Sequence, residues 1–329
     1  MFGWWGMTEI ALEPAARALA AGELVLVAAT DGSGATVGAA ATLIGAGGLA
    51  SVYELGGDLA VLAIGADHAA RLGLAELPPA TRPRHGIVPA SSIDAADGLA
   101  DPWSPAGRAH TIRVASDPEC SAAALISPGH VQSAIVREGT CAAPSLALEL
   151  ARAAGCPPVM VLSPVVDRDG RHLSLTEALR DPRLARLPSA PALELRALSV
   201  ARELERDAID CSLPTRLGMF TAVAHAAGAD GETVLALVHG DPGRDPAAAL
   251  VHTHVACLLG DTFGSLLCDC HERLDAAARA IVAAGAGVIV YVKPRPADPF
   301  ACPAGEPVDP ALARGLLGRA GLSADRVAA

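Results

Sequence analysis

Apolar and polar positions follow two rhythms along this chain, and each change of rhythm predicts an element. Residues 8–21, TEIALEPAARALAA, carry apolar side chains at helical spacing, with Thr8 able to cap the start and Gly22 to end the helix. ELVLVAA (23–29) and DLAVLAIG (58–65) are short apolar runs of the kind that form buried strands. TDGSGATVGAA (30–40) between them reads as a glycine-rich turn. Residues 76–108 hold many Pro, Ser and Gly and predict a long surface excursion. AHTIRVAS (109–116) alternates like a strand, and SPGHVQSAIVREG (127–139) reads as a turn leading into one. APSLALELARAAG (143–155) predicts a helix closed by Gly155, and PPVMVLSPVVDRDG (157–170) a strand ending in a turn.

Residues 173–206 are mostly helical in pattern. ALELRALSVARELERDA (192–208) alternates charge along one face, as a connecting helix does. The expected domain change lies near 205–212, giving domains 1–207 and 208–329. Three strands follow: SLPTRLGMFTAVAH (212–225), TVLALVHG (233–240) and AALVHTHVACLLG (248–260). HERLDAAARAIVAAG (271–285) predicts a helix, AGVIVYVKP (286–294) a strand, and DPALARGLLGRAG (309–321) a short helix after a Pro-rich tail. The fold class expected is α+β: two domains, each a mixed sheet with helices. No internal repeat is visible.

Length agrees with this division, since 329 residues suit two domains that each bury a core. The net charge of −11 makes a nucleic-acid backbone an unfavourable partner. A small phosphorylated substrate would need basic residues gathered locally. The longest apolar candidate, VAAGAGVIVYV from Val282, is too short to cross a membrane. The first residues lack the pattern of a secretory signal, so the expected location is cytoplasmic.

Of the eight cysteines, Cys120, Cys141, Cys156, Cys211 and Cys302 are scattered singly, which reads as small buried hydrophobes. Cys257, Cys268 and Cys270 cluster as C-x10-C-x-C, which favours a metal over a disulfide. Three thiolates suit Zn²⁺. Cys257 would come from a strand end, and the other two from a tight segment just before a helix. Three protein ligands leave a fourth position for a water that ionises near neutral pH. Alternatively, His271, His254 or His252 closes the site. His254, Asp261 and Asp269 are candidates for moving protons or orienting ligands.

The stretch CLLGDTFGSLLCDCHERLDAAARAI, followed by GAGVIVYV, resembles the zinc signature of GTP cyclohydrolase II. That family reads approximately C-L-T-G-D-x-F-x-S-x-x-C-D-C-x-x-Q-L-x-x-A-L. The match covers Cys257, Gly260, Asp261, Phe263, Ser265, Cys268, Asp269, Cys270, Leu274 and Ala277. LPTRLGMF also resembles the family's opening strand. The resemblance implies that the three cysteines hold Zn²⁺, whose water attacks guanine C8 of GTP, with release of formate and pyrophosphate. ALAAGELVLVAA, SPGHV and LALELARAAG resemble 3,4-dihydroxy-2-butanone 4-phosphate synthase, which is often fused ahead of the cyclohydrolase in bifunctional riboflavin-biosynthesis proteins. A homodimer acting on a small molecule, such as a nucleotide, is implied with it.

Several family positions have changed. The synthase's acidic loop, approximately D-D-E-D-R-E-N-E-G-D, is AATDGSGATVG here, with Asp31 its only acid. A hard cation needs oxygen ligands. The family's metal-binding His of G-H-T-E-A falls near Ala143, and its catalytic Glu near Pro164; His130 persists by position. Loss of the Mg²⁺ site and of synthase activity is therefore expected. In the second half R-V-H-S-E-C has become HTHVAC, which keeps His254 but places His252 for Arg and Ala256 for Glu. Y-x-R-Q-E-G-R-x-I-G-L has become YVKPRPADPF, which keeps Tyr291. Lys293, Arg295 and His130 remain as candidate substrate contacts. The family continues beyond the point matched by Ala329, so a truncated homologue is expected. The expected function is a zinc-binding homologue of GTP cyclohydrolase II, a diverged hydrolase of GTP or another small substrate. The alternative is a non-catalytic paralogue with structural zinc.

Overall fold

The computed structural model describes residues 4–30, 32, 34–57, 59–77, 86–98, 101–227, 232–293, 302, 308 and 310–322. The chain falls into two units, Thr8–Arg196 and Ala197–Ala329, the latter with Met1–Met7. Among the described residues no helix is long and apolar enough to cross a membrane.

The first unit is entered by α1 (Trp4–Ala20), whose backbone turns helical before Thr8. Gly22, at φ +80°, reverses the chain after it. The strands are β1 (Val25–Ala28), β2 (Ala35–Ala40), β3 (Val61–Gly65), β4 (Ile87–Pro89), β5 (Ile93–Ala95), β6 (Leu125–Val131), β7 (Ser133–Val136), β8 (Val159–Pro164) and β9 (Ser189–Ala190). Between them lie α2 (Ala46–Leu55), α3 (Ala66–Arg71), α4 (Pro105–Ser116), α5 (Ala143–Ala153) and α6 (Leu175–Ala178), and α7 (Ala192–Asp207) leads into the second unit. Seven strands form one mixed sheet in the order β4-β7-β3-β8-β2-β1-β9, and β5 pairs with β6 separately. β1 and β2 are buried along their whole lengths. That double burial explains why their sequences are unbroken apolar or small runs rather than alternating ones.

Several local expectations fail here: the turn expected at 127–131 lies within β6, and the expected surface excursion 76–108 contains β4 and the buried β5. The second half of the turn expected at 30–40 is β2, because its Ala, Val and Gly side chains pack in the centre of the sheet, opposite β1 and β8. The expected strand 109–116 is the body of α4. Ser104 Oγ accepts from the Gly107 N–H at 3.0 Å, Pro105 opens the first turn, and Ala109, Ile112 and Ala115 are buried at helical spacing. The cap and that face outweigh the local alternation.

The second unit has β10 (Ile209–Pro214), β11 (Met219–Ala227), β12 (Glu232–His239), β13 (Leu250–Val255), α8 (Cys270–Ala284), β14 (Gly287–Lys293) and α9 (Pro310–Arg319). The sheet order is β10-β11-β12-β14-β13. Only β13 and β14 run parallel, and α8 is the crossover that parallel neighbours require. Alternation along β14 explains both faces. Val288, Val290 and Val292 point to a core with Val200, Leu204, Leu316 and Leu317, from α7 and α9. Ile289 points the other way, to Ile281 of α8 and Phe220. The sheet thereby holds the end of β13 and the start of α8 close together, and the cysteines sit on the segment between them.

Candidate metal centre and the pocket of the first unit

β13 ends at Val255, and two residues later Cys257 caps a π-helical turn, Leu258–Thr262. The Gly260 N–H donates to Cys257 Sγ at 3.3 Å. A Cβ on Gly260 would lie 2.9 Å from both Cys268 Sγ and Cys270 Cβ, so the cluster closes only over a glycine. Gly264, at φ +61°, turns the loop back, and Cys270 opens α8. Cys257 and Cys268 sulfurs are 3.8 Å apart. A fourth sulfur is present: Cys302 Sγ lies 3.5 Å from Cys270 Sγ, and all four sulfurs fall within 4.8 Å of one another. Cys302 is therefore not a scattered, buried cysteine but exposed and joined to the cluster; of the other four, Cys120, Cys141 and Cys156 are partly buried and Cys211 is exposed.

This donor set fits zinc. Zn–S bonds of about 2.3 Å in a tetrahedron put sulfurs ~3.8 Å apart, close to the spacings found here. Cys257 and Cys270 are 1% and 0% exposed. Burial raises both thiols; Cys270, with the neighbouring Cys302 and Cys268 adding to the effect, is pushed up to about 12. A cation is what would hold such a cluster as thiolates.

Beside the cluster, adjacent parallel strands place His254 and Tyr291 as register partners, and their rings stack at 5.4 Å. His254 Nε2 lies 3.0 Å from both oxygens of Asp261. Asp261 Oδ2 also accepts from the Cys257 N–H and from Tyr291 Oη, each at 2.9 Å. The His254 and Asp261 side chains are only 2% and 6% exposed. Burial, followed by the hydrogen bond and charge of Asp261, raises the Tyr291 hydroxyl above its ordinary value.

The remaining candidates are elsewhere. Asp269 is 69% exposed and pairs with Arg273 at 3.1 Å. Lys293 is exposed at the end of β14, His271 is exposed on α8, and Arg295 lies outside the described residues. His252 faces inward: its ring centroid is 6.0 Å from that of His254, and its Nε2 is buried without a hydrogen-bond partner. Burial first, then His254 and Arg273, lowers its pKa. In the first unit, His130 Nδ1 lies 2.7 Å from Asp94 Oδ2, and Trp103 meets the ring edge-on at 5.0 Å.

Sequence reasoning missed Cys302 and the Tyr291–Asp261 bond. The only signal for Cys302 was its presence in a tail otherwise poor in chemistry, since no spacing rule joins it to a cysteine on the far side of a strand.

The first unit holds a cavity of about 480 Å³. Ala143 and Pro164 line it, as do Ala29 and Gly34 from the β1–β2 connection, with Leu162 and His172. These are the places to which the family resemblance assigns a metal-binding His, a catalytic Glu and the acidic loop. Asp31 lies outside the described residues. No Asp or Glu is found among the described lining residues. As described, that wall does not fit Mg²⁺, which takes oxygen ligands.

Residues 13–195 match the family model for 3,4-dihydroxy-2-butanone 4-phosphate synthase. The chain belongs to that family. Behind the synthase-family domain, residues 205–298 match the model for GTP cyclohydrolase II. Riboflavin biosynthesis protein RibBA of Nocardia farcinica (strain IFM 10152) is 35% identical over 235 residues, covering 68% of this chain and 55% of that protein. RibBA of Rhodococcus jostii (strain RHA1) is also 35% identical over 235 residues, covering 68% of this chain and 56% of its own length. The chain thus spans about 55% of the length of these relatives. The fold is that of RibBX, described as a two-domain 3,4-dihydroxy-2-butanone 4-phosphate synthase from A. baumannii, with a TM-score of 0.68 at 16% identity. That likeness covers 94% of this chain and 91% of the other.

Proposed function

We propose that this synthase-family chain is a zinc-holding binding protein related to riboflavin biosynthesis, in which the synthase reaction has been lost. One observation carries the reading: Ala143 and Pro164, near which the resemblance puts the family's metal ligand and catalytic acid, line a single, largely apolar cavity. A sugar phosphate needs a cation and charged partners, whereas walls such as Leu162, Val61 and Ile87, with His172 and Thr36 as polar points, suit a neutral, largely apolar small molecule.

The zinc residues are Cys257, Cys268 and Cys270. When bound, zinc supplies either a fixed point for the loop or a polarised ligand. A second reading, a hydrolase acting on GTP or another small substrate, is favoured by the buried His254–Asp261 pair beside Cys257. Asp261 fixes the imidazole at Nε2, and such a pair can hold a proton. Nevertheless, Asp261 is also held by Tyr291 and by the Cys257 N–H, which is the bonding expected of a support for the metal loop.

The test is an assay of the zinc-loaded chain for two products: 3,4-dihydroxy-2-butanone 4-phosphate, from a sugar phosphate with Mg²⁺, and formate from GTP. The proposal expects neither. Synthase product would overturn it, and formate lost in Cys257→Ser would establish the second reading.

A further inference from the structure

We propose that Cys302 is the fourth ligand of the metal, so that the ion is enclosed by four thiolates and no position is left for water. This rests on the reading that the chain holds zinc at Cys257, Cys268 and Cys270. The geometry of the sulfurs points to it. A three-cysteine site would show three converging sulfurs and a gap. Here the gap is filled: Cys302 Sγ approaches Cys270 Sγ to 3.5 Å, and no pair in the set of four is more than 4.8 Å apart.

Burial gives the fourth sulfur its place. Cys257 and Cys270 are buried and Cys268 is partly buried, whereas Cys302 is exposed. It therefore caps the cluster from the solvent side, the side from which a water or substrate would reach an open zinc.

The histidines weighed as closing ligands stand outside the cluster. His254 is held by Asp261 through Nε2, His271 is exposed on α8, and His252 has a buried Nε2 without a hydrogen-bond partner. None of the three belongs to the cluster of metal-ligating atoms found among the described residues. Four thiolates around zinc make a closed site of the structural type, whereas hydrolytic sites keep one position open. The ion would then fix the 257–270 loop and tether the segment before α9, and activate no water.

Two measurements on the full-length, reduced protein test this. Zn K-edge X-ray absorption reads the ligand set directly: four sulfurs are expected, and three sulfurs with one oxygen or nitrogen would overturn the proposal. Cobalt substitution reads it through a variant. Cys302→Ser is expected to lose about one quarter of the thiolate-to-cobalt absorption, to move the d–d bands to shorter wavelength, and to weaken zinc by more than the roughly 10–100-fold that losing an outer-shell partner costs. Far-UV circular dichroism establishes that the variant is folded. A variant spectrum identical to that of the parent would overturn the proposal. Failure of the parent to bind either metal would instead sink the underlying zinc reading, a distinguishable outcome.

Discussion

The two units contrast in what they gather at the places where a site is expected. In the first, the sheet and helices of the synthase-family domain are in place, and Ala143 and Pro164 line a largely apolar cavity with no Asp or Glu among its described lining residues. In the second, the sulfurs persist together with their supports: Gly260 fits under them, Asp261 bonds the Cys257 N–H, and Tyr291 and His254 hold Asp261. The difference teaches where each kind of constraint lies. A sheet is specified by many apolar positions, so a few polar residues at its rim can be replaced without loss of the fold. A cluster of buried thiols has no such freedom, because the same residues that would hold the metal close the loop.

Metal removal is the strongest way to break this comparison. Structural zinc contributes about 10–16 kcal/mol in small zinc-folded peptides. Stripping the metal with a chelator should lower the thermal transition of the second unit by more than about 10 °C and leave that of the first unmoved. Calorimetry with and without zinc checks this, and equal shifts in both units would erase the distinction.

Next in size is Gly260→Ala. Its Cβ would enter a space bounded at 2.9 Å by Cys268 Sγ and Cys270 Cβ, so a destabilisation of about 1–3 kcal/mol and reduced zinc content are expected. By contrast, Ala142→Val faces the cavity of the first unit and should change stability by less than about 1 kcal/mol. Urea unfolding of the two variants sets the sites side by side. Tyr291→Phe removes one hydrogen bond to Asp261 and should cost about 1 kcal/mol, with zinc still bound.

The smallest effect is expected in the first unit. Arg171, together with the backbone N–H and hydroxyl of Ser174, holds the Glu177 carboxyl at about 2, below its ordinary 4.5. A depressed pKa stabilises the fold above the ordinary value, and that contribution is lost as pH falls through about 2. Glu177→Gln should therefore lower the melting temperature slightly at pH 7 and match the parent near pH 2.

Much of this architecture was legible in the sequence. β12 to β14 and α8 follow alternating or helical patterns that the sheet and its two covering layers explain directly, whereas residues 212–225, expected as one strand, are divided between the antiparallel strands β10 and β11. The misreadings have physical causes. Residues 35–40 are small and glycine-bearing, like a turn, yet lie in the centre of a sheet. Residues 109–116 alternate locally, and only the Ser104 cap upstream reveals the helix. At the site, Cys257, Cys268 and Cys270 were found because they are close in sequence. Cys302 was not, because its approach depends on where the segment between β14 and α9 runs. Asp261 stands in the motif as a candidate for moving protons or orienting ligands, but its role as the acceptor joining Tyr291, His254 and the Cys257 N–H is a product of strand register.

The most direct test of the central claim, that the GTP cyclohydrolase II-like part keeps a metal centre without that reaction, is formate release from GTP measured on a sample of known zinc content. The account predicts one zinc per chain and no formate above the metal-free control. Zinc-dependent formate release would contradict it.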